Sequence, residues 1–402
     1  LFEEARAVVA DKGAARLTVQ ASGGVRVEAI SDEVLAKECA AKGSAKSAKD
    51  KQNGSKGGGA KKVGALSLAA DKVLSVVELA SSPQIAGAKA ASSGKLEELM
   101  LKPHAAKFLA PKGLAVPFGV MRKAVASADL EKALASLQQA LDTKSEQLEE
   151  KARAARDAVE RCTVPKAVLD ALMSQLPSGT LRVAVRSSAN SEDLEGVSGA
   201  GLHDSVLGVD AKNSAELGKA VREVWSSLFT LRAVQSRHAA GMPLFEGIAM
   251  GVLVQPMVSL QGKAYAFIAF TKDVVAGDAG AVYLEVCVGL GETLASANEP
   301  GTPYRLVVRK AAPHEVKVLS LASYSYGLQD LQGGPARILV DYSTEKLSTD
   351  QAFLEKLARD VAAVAVRVEE GYGAPMDMEG VVLEQASGRE VHLVQARPIV
   401  EG

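Results

Sequence analysis

Residues 376–398, MDMEGVVLEQASGREVHLVQARP, contain two strand-like stretches that carry polar side chains at alternate positions. Asp377 and Glu379 lie two residues apart, so both carboxylates point to one face of the first strand. Gln395 and Arg397 share a face of the second strand, which we expect to pair with the first. Paired carboxylates repel each other unless a cation neutralises them, and Mg²⁺ bound by oxygen atoms and phosphates suits that need. The hairpin predicts a metal–phosphate site, and a solvent-facing acidic pair is the alternative.

The segments around this hairpin predict the fold class. From residue 181 onward, strand-like runs alternate with helical segments, and many neighbouring runs are arranged as hairpins. The further strand-like runs are LRVAVRS (181–187), GIAMGVLVQPMV (247–258), AYAFIAFT (264–271), AVYLEVCVG (281–289), YRLVVRK (304–310) and ARILVDYS (336–343). Apolar spacing predicts long helices at about 215–238 and 350–370. This mixed order is typical of an α+β fold rather than a regular βαβ winding.

The region before residue 181 is predicted to be mainly helical. Apolar residues recur at helical spacing over residues 66–79. Residues 127–162 form a second helical stretch, in which leucines three or four positions apart share one face. A break near Asp142 and Thr143, with charged residues on the opposite face, predicts a helical hairpin that packs on the body of the protein.

The first 62 residues differ in composition from the rest of the chain. Residues 1–39 combine a helix-like start (1–13) with two strand-like runs, ARLTVQ and VRVEAI, and are too few to bury a core alone. Residues 40–62 hold seven lysines, five glycines and no large apolar residue. Such a segment cannot offset its ordering entropy by burial, so a flexible linker is predicted. A basic arm for an anionic partner is the alternative.

Composition excludes several classes of protein. The 402 residues correspond to two or three domains, and 47 basic against 48 acidic residues give a net charge of −1. This balance argues against a protein that binds nucleic acid through its bulk charge. No run approaches the ~18 apolar residues of a membrane span. Three cysteines far apart in the sequence indicate a reducing compartment.

Two further motifs suit phosphate binding. The strand-like run LRVAVRS leads Arg186 into RSSANSEDLEGVSGAGLHDS (186–205), whose small residues would let backbone amides approach phosphates. Glu292 lies in the glycine-framed turn VGLGETLAS (288–296) after another strand. Surface turns are the alternative for both. The common glycine-rich nucleotide motifs are absent, and the five histidines lie near no cysteine, which argues against a zinc site.

The order of these motifs resembles that of the phosphoglucan water dikinases, over roughly residues 63–402. The motifs that carry the resemblance are RSSANSEDLEG, VLVQPMV, EVCVGLGETLAS, GTPYRLV, VDYSTEKL and DMEGVV…VHLVQARP. Some of them are shared with phosphoenolpyruvate synthase and pyruvate phosphate dikinase. The resemblance implies an ATP-grasp-like, two-lobed nucleotide-binding domain at 63–402, with a helical part (63–180) that carries the hairpin insert and a mixed-sheet part (181–402). It also implies that residues 1–39 end a phosphohistidine domain.

The resemblance also implies roles for individual residues. The residues implied in ATP binding are Lys89 in GAKAA, Arg186, Gln255 in the strand beside the adenine, Glu292, Asp377 and Arg397. Glu379 and Gln395 are the implied ligands of Mg²⁺. The implied cofactors are therefore Mg²⁺ and ATP.

The implied reaction converts ATP, water and phosphorylated α-glucan into AMP, orthophosphate and a glucan phosphorylated on a further glucosyl hydroxyl. Its phosphoryl group passes through a phosphohistidine, expected upstream of Leu1 because none of the five histidines has the family's Ser-His context. Starch would be bound by parts outside this chain, in the plastid stroma at starch granules, with neither nucleic acid nor membrane as partner. The alternatives are a pyruvate- or phosphoenolpyruvate-type dikinase and a non-catalytic nucleotide-binding scaffold.

Overall fold

The computed structural model describes residues 15–19, 25–29, 64–194, 197–198, 202–258, 263–295, 301–331, 334–385 and 388–399. The chain divides into two units, Leu1–Gly59 and Ala60–Gly402. In the first unit, β1 (Ala15–Val19) and β2 (Val25–Ala29) pair antiparallel, as the two strand-like runs predicted. The predicted helix at 1–13 and the predicted linker at 40–62 lie outside the described residues. The domain boundaries at 39, 62 and 180 stay predictions.

The strands of the second unit follow one another along the whole of its length. In chain order they are β3 (Leu74–Ser75), β4 (Leu114–Val116), β5 (Arg182–Ala189), β6 (Asp193–Leu194), β7 (Val197–Ser198), β8 (Ser205–Asp210), β9 (Met250–Pro256), β10 (Lys263–Phe270), β11 (Ala281–Val288), β12 (Tyr304–Arg309), β13 (Val316–Ser320), β14 (Tyr326–Leu331), β15 (Gly334–Leu339), β16 (Met376–Gln385) and β17 (Gly388–Pro398).

The helices of the described residues lie between these strands along the chain. In chain order they are α1 (Pro83–Ala86), α2 (Ala88–Leu101), α3 (Phe118–Val125), α4 (Ala128–Asp142), α5 (Leu148–Glu160), α6 (Lys166–Gln175), α7 (Ser214–Ser226), α8 (Leu231–Ala239), α9 (Glu292–Ala295), α10 (Lys346–Thr349) and α11 (Gln351–Tyr372). Short 3₁₀ helices occupy Val76–Leu79 and Ser227–Phe229.

Two antiparallel sheets dominate the described part of the second unit. The five-stranded sheet has the order β3-β4-β9-β5-β8, and the six-stranded sheet has the order β13-β12-β11-β10-β16-β17. Each sheet therefore combines strands from distant parts of the sequence. The predicted α+β class is confirmed, because helices and antiparallel strands mix along the chain.

Each sheet is covered by its own helices. Trp225 of α7 and Phe118 at the start of α3 are fully buried in the cluster that covers the five-stranded sheet. The α4–α5 hairpin joins that cluster through Leu137 and Ala155, as its leucine face predicted. On the six-stranded sheet, the apolar face of α11 packs against strand residues such as Phe267. Burial of each large apolar side chain contributes roughly 1.5–3 kcal/mol, so both sheets have a substantial core.

Helix α2 connects the two sheets. Its Ser93 accepts a hydrogen bond from Gln255 of β9 at 3.0 Å, and its Ser92 hydroxyl donates to the carbonyl of Ala396 in β17. The buried Arg367 of α11 donates to the carbonyl of Leu99 near the end of α2. The helix is thus held by strands of both sheets.

The predicted helix over residues 66–79 is wrong. Only a 3₁₀ helix at Val76–Leu79 forms there, after the short strand β3. Val76 and Leu79, three residues apart, are buried, whereas Val77 on the predicted apolar face is 39% exposed. Ser75 and Glu78 form a capping box at the start of the 3₁₀ turn, and this cap favours a start at Ser75 over a longer helix that begins earlier.

The predicted helix at 215–238 is interrupted, whereas the one at 350–370 is confirmed. Thr230 has extended backbone angles, and its hydroxyl accepts from the Ala233 amide at 3.2 Å, so a new helix begins there. Helix α11 starts at the N-cap Asp350 and ends at Gly373, which adopts a left-handed conformation. None of the helices in the described ranges is both long and apolar enough to cross a bilayer.

Candidate active site

A cleft of about 870 Å³ lies between the two sheets, and all eight site residues predicted above line it. They are Lys89, Arg186, Gln255, Glu292, Asp377, Glu379, Gln395 and Arg397. These residues come from five segments spread over more than 300 positions. The fold therefore brings them to one place, although not all of them touch.

The β16–β17 hairpin supplies the acidic side of the cleft. Asp377 pairs across the strands with Arg397, and Glu379 pairs with Gln395, as the alternation of polar residues predicted. The register shifts by one residue directly after Glu379. A side chain at Gly380 would overlap the His392 carbonyl and the Phe267 ring, so only glycine allows the strands to approach here.

Arg186 links the two sheets. From the middle of β5, its guanidinium donates to Gln395 Oε1 at 2.8 Å and to the Glu379 carboxylate at 3.3 Å. It also donates to the Val394 carbonyl at 3.1 Å. The Arg186 side chain is only 16% exposed and that of Glu379 29%. Charge-assisted hydrogen bonds of this kind are roughly twice as strong as neutral ones, so the contact aligns one sheet against the other.

Gln255 supports Arg186. Its side chain is 3% exposed, and its Oε1 accepts from Arg186 Nη1 at 3.4 Å. Its amide nitrogen donates to Ser93 in α2. Both ends of the amide are therefore occupied by protein groups. The strand that carries Gln255 borders the cleft through the next residues, Pro256 and Met257.

Asp377 and Arg397 form an ion pair at the side of the hairpin. Arg397 donates twice to Asp377 Oδ2, from Nε at 2.9 Å and from Nη2 at 2.7 Å. Burial raises the pKa of Asp377 above its usual value; the nearby Glu379 raises it further, and Arg397 only partly offsets this. The cleft therefore receives the guanidinium of Arg397, whose positive charge is partly balanced by the Asp377 carboxylate.

Glu292 begins α9 directly after a tight turn. Gly289 has a φ of +92°, and a side chain there would overlap the Leu328 carbonyl of β14. The Leu290 amide donates to that same carbonyl at 2.7 Å, which fixes the turn. Partial burial and then repulsion from Glu379 raise the pKa of Glu292, while Arg186 opposes them. Glu292 thus lies within electrostatic reach of the Arg186 network.

Lys89 lies in the first turn of α2, next to the serines that follow Arg186. Its ammonium donates to Ser187 Oγ at 3.1 Å, and Ser188 Oγ accepts from the Ala90 amide at 3.1 Å. The preceding Gly87 has a φ of +92°, and a side chain there would overlap Ser188. This close approach places Lys89 at the cleft beside β5.

Residues 83–401 match the family model of the pyruvate phosphate dikinase AMP/ATP-binding domain. The chain belongs to this family. The wider dikinase family that the shared motifs predicted is therefore confirmed, and with it an ATP-binding domain of the phosphotransferase class; the match does not distinguish the phosphoglucan water dikinases from other members.

Relatives with different names lie at similar identity to this dikinase domain. Alpha-glucan water dikinase 2 of Arabidopsis thaliana is 31% identical over 208 residues, which are 45% of this chain and 16% of the relative. Rifampicin phosphotransferase of a Streptomyces species is 34% identical over 216 residues, 54% of this chain and 23% of the relative. Phosphoenolpyruvate synthase of Aeropyrum pernix is 30% identical over 239 residues, 54% of this chain and 28% of the relative. The chain thus spans less than a third of the length of each.

The dikinase domain offers few protein ligands for a metal ion. Among the residues that the structure describes, no three His, Cys, Asp or Glu side chains form a group that could hold one. Glu379 and Gln395, which face each other across β16 and β17, supply carboxylate and amide oxygens. Mg²⁺ commonly takes only one or two carboxylates and completes its shell with water and substrate phosphates. The donor set therefore fits Mg²⁺ bound together with a nucleotide.

Sequence reasoning missed two residues of this cleft, the buried Glu192 and the half-buried His203. Glu192 is 3% exposed, and its Oε2 lies 3.1 Å from Lys89 Nζ. His203 Nδ1 lies 3.3 Å from the Ser227 carbonyl. Both residues stand in the RSSANSEDLEGVSGAGLHDS run, but nothing in their spacing indicates burial. Residues 195–196 and 199–201 of that glycine-rich run lie outside the described residues.

Proposed function

We propose that this chain is the ATP-binding and phosphoryl-donating part of a water dikinase that acts on phosphorylated α-glucan. The reaction would convert ATP, phosphoglucan and water into AMP, orthophosphate and further phosphorylated glucan. The phosphoryl group would pass through a phosphohistidine on a part of the protein beyond this sequence. The chain would act in the plastid, in line with relatives named as chloroplastic alpha-glucan water dikinases.

One observation carries the nucleotide site: Arg186 of one sheet contacts Glu379 and Gln395 of the other at the wall of a cleft. A triphosphate spreads its charge over three groups, and its transfer is stabilised by cations placed around it. Lys89, Arg186 and Arg397 supply fixed positive charges along that wall. We infer an ATP-grasp-like arrangement, in which the nucleotide lies between the two sheets.

The remaining residues have roles that follow from their contacts. Glu379 and Gln395 would hold Mg²⁺, which when bound neutralises phosphate charge. Gln255 orients Arg186, because its amide contacts both Arg186 and Ser93. Glu292 would accept hydrogen bonds from the ribose or balance the cations on the phosphate side. Apolar side chains of the same cleft, including Met257, Ile268 and Val381, would take the adenine ring.

Stabilisation by Mg·ATP tests the nucleotide site. At a nucleotide concentration 100 times the Kd, binding should raise the free energy of unfolding by about 2.7 kcal/mol. Arg186→Ala and Glu379→Gln should remove most of that gain, and EDTA should remove it from the unaltered chain. Arg389→Ala is the matched control. Arg389 forms an ion pair with Asp360, with 3.4 Å between their charged atoms, that is similarly buried but lies away from the cleft. If Mg·ATP still stabilises the Arg186→Ala variant, the proposed nucleotide site is contradicted, and a scaffold without this site is the better interpretation.

The acceptor is tested with the complete polypeptide that contains this chain. Release of AMP from ATP should require phosphorylated α-glucan and should be unaffected by pyruvate or rifampicin. The comparison is necessary because relatives named rifampicin phosphotransferase and phosphoenolpyruvate synthase match at 34% and 30% identity. Pyruvate-dependent AMP release would favour the phosphoenolpyruvate synthase type instead.

A further inference from the structure

A buried carboxylate pairs with the lysine of the cleft. Glu192 follows strand β5 and is 3% exposed, while the Lys89 side chain is 23% exposed. Their charged atoms, Glu192 Oε2 and Lys89 Nζ, are 3.1 Å apart. Both residues line the cleft. The more buried partner is therefore the acid, and the lysine is the one that remains accessible to a ligand.

The Glu192 carboxylate of this pair is charged at neutral pH. Burial by itself would raise the pKa of Glu192, but the nearby Lys89 ammonium and the His203 imidazole outweigh burial and hold it below its usual value. A buried carboxylate is stable only beside a compensating charge, so Glu192 constrains where the ammonium can lie.

The contacts of Lys89 leave room for one more acceptor. An ammonium has three N–H donors. One donates to Ser187 Oγ at 3.1 Å, whereas Glu192 Oε2, 3.1 Å from Nζ, acts as a counter-ion and has no hydrogen bond of good geometry. A free lysine side chain carries rotamer entropy that a ligand would otherwise have to offset. The Ser187 hydrogen bond and the Glu192 ion pair restrict that freedom before a ligand binds and leave a donor for it.

We propose that Glu192 is a positioning residue, which holds the Lys89 ammonium at the cleft so that its remaining donor can bind a phosphate of the nucleotide. This inference rests on the proposed function, because it requires Lys89 to contact the triphosphate. Glu192 itself touches no reacting group. Its effect on nucleotide affinity must therefore pass through Lys89, which makes the two residues a testable pair.

A double-mutant cycle on the whole chain tests this coupling. The dissociation constant of Mg·ATP is measured by calorimetry for the unaltered chain, Glu192→Gln, Lys89→Met and the double variant. We expect Glu192→Gln to weaken binding about tenfold, and to have almost no effect once Lys89 is replaced. Glu192→Asp, which keeps the charge, should recover part of the affinity. A purely structural role would weaken binding equally in both backgrounds and would overturn the proposal.

The controls separate this inference from the proposed function. Glu369→Gln is the control, because Glu369 forms a partly buried ion pair with Lys310 outside the cleft, and it should leave the Mg·ATP affinity unchanged. Should Glu192→Gln fail to fold, Ser187→Ala removes the other contact of Lys89 and should again weaken binding only when Lys89 is present. If Lys89→Met and Arg186→Ala weaken binding but Glu192→Gln does not, the inference fails alone. If none of them weakens binding, the proposed nucleotide site fails.

Discussion

The two sides of the cleft place their charged residues by different means. Asp377 and Glu379 of the six-stranded sheet lie on one hairpin, and their positions follow from its register. The cations of the other side, Lys89 and Arg186, are 97 positions apart in sequence, and Lys89 reaches β5 by a hydrogen bond to Ser187, the residue after Arg186. The acidic side thus depends on local strand geometry, whereas the basic side depends on how α2 packs against β5.

The packing of α2 on β5 predicts the largest effect of a single substitution. Gly87→Ala should lower the free energy of unfolding by about 3 kcal/mol, because a residue with a φ of +92° and a ψ of 166° is strained unless it is glycine and the methyl group would overlap Ser188. Denaturation in urea measures this loss.

Gly179 is the control for that substitution, because its φ is +83° but nothing lies within 4 Å of the position of a Cβ atom. Gly179→Ala should cost only about 1 kcal/mol, from backbone strain alone. Equal losses at the two positions would mean that the contact between α2 and β5 does not limit stability.

The second prediction compares a contact between the sheets with one inside a sheet. Arg186→Ala should lower the stability of the nucleotide-free chain by about 2–3 kcal/mol, because the buried Gln395 and the Glu379 carboxylate lose a charged donor. Arg397→Ala should cost about 1 kcal/mol, since Arg397 is 31% exposed and its removal would let water from the cleft reach Asp377, which is 12% exposed beside it. Equal losses would contradict a special role for the contact between the sheets.

The smallest expected effect concerns acid stability beside Lys89. Burial and then the nearby Arg237 lower the pKa of His203, although Glu192 opposes them. Because this pKa is lower in the folded than in the unfolded chain, stability should fall as the pH drops below the unfolded value of about 6.5. His203→Gln should therefore lose less stability than the unaltered chain between pH 7.5 and 5.5 in urea denaturation. An equal loss would assign the acid sensitivity to other groups, such as His392, whose pKa burial also lowers.

The sequence predicted the parts of the site that depend on short-range periodicity. Two-residue alternation placed Asp377 with Glu379 and Gln395 with Arg397, and the strands pair in the way that this requires. The α4–α5 hairpin and α11 followed from apolar spacing and end residues. Where spacing was ambiguous, prediction failed: the pattern over 66–79 equally fits a short strand followed by a 3₁₀ turn, and packing selected the latter.

The amino-acid sequence by itself determined the α+β class, the hairpin with its four polar residues and membership of the dikinase AMP/ATP-binding family, because repeating patterns and motifs are written along the chain. Only the tertiary structure decided that Arg186 donates across to Glu379 and Gln395, that both ends of the Gln255 amide are occupied, and that Glu192 is buried against Lys89. Those contacts join residues far apart in sequence, and their energies arise from burial and distance, which exist only once the chain is folded.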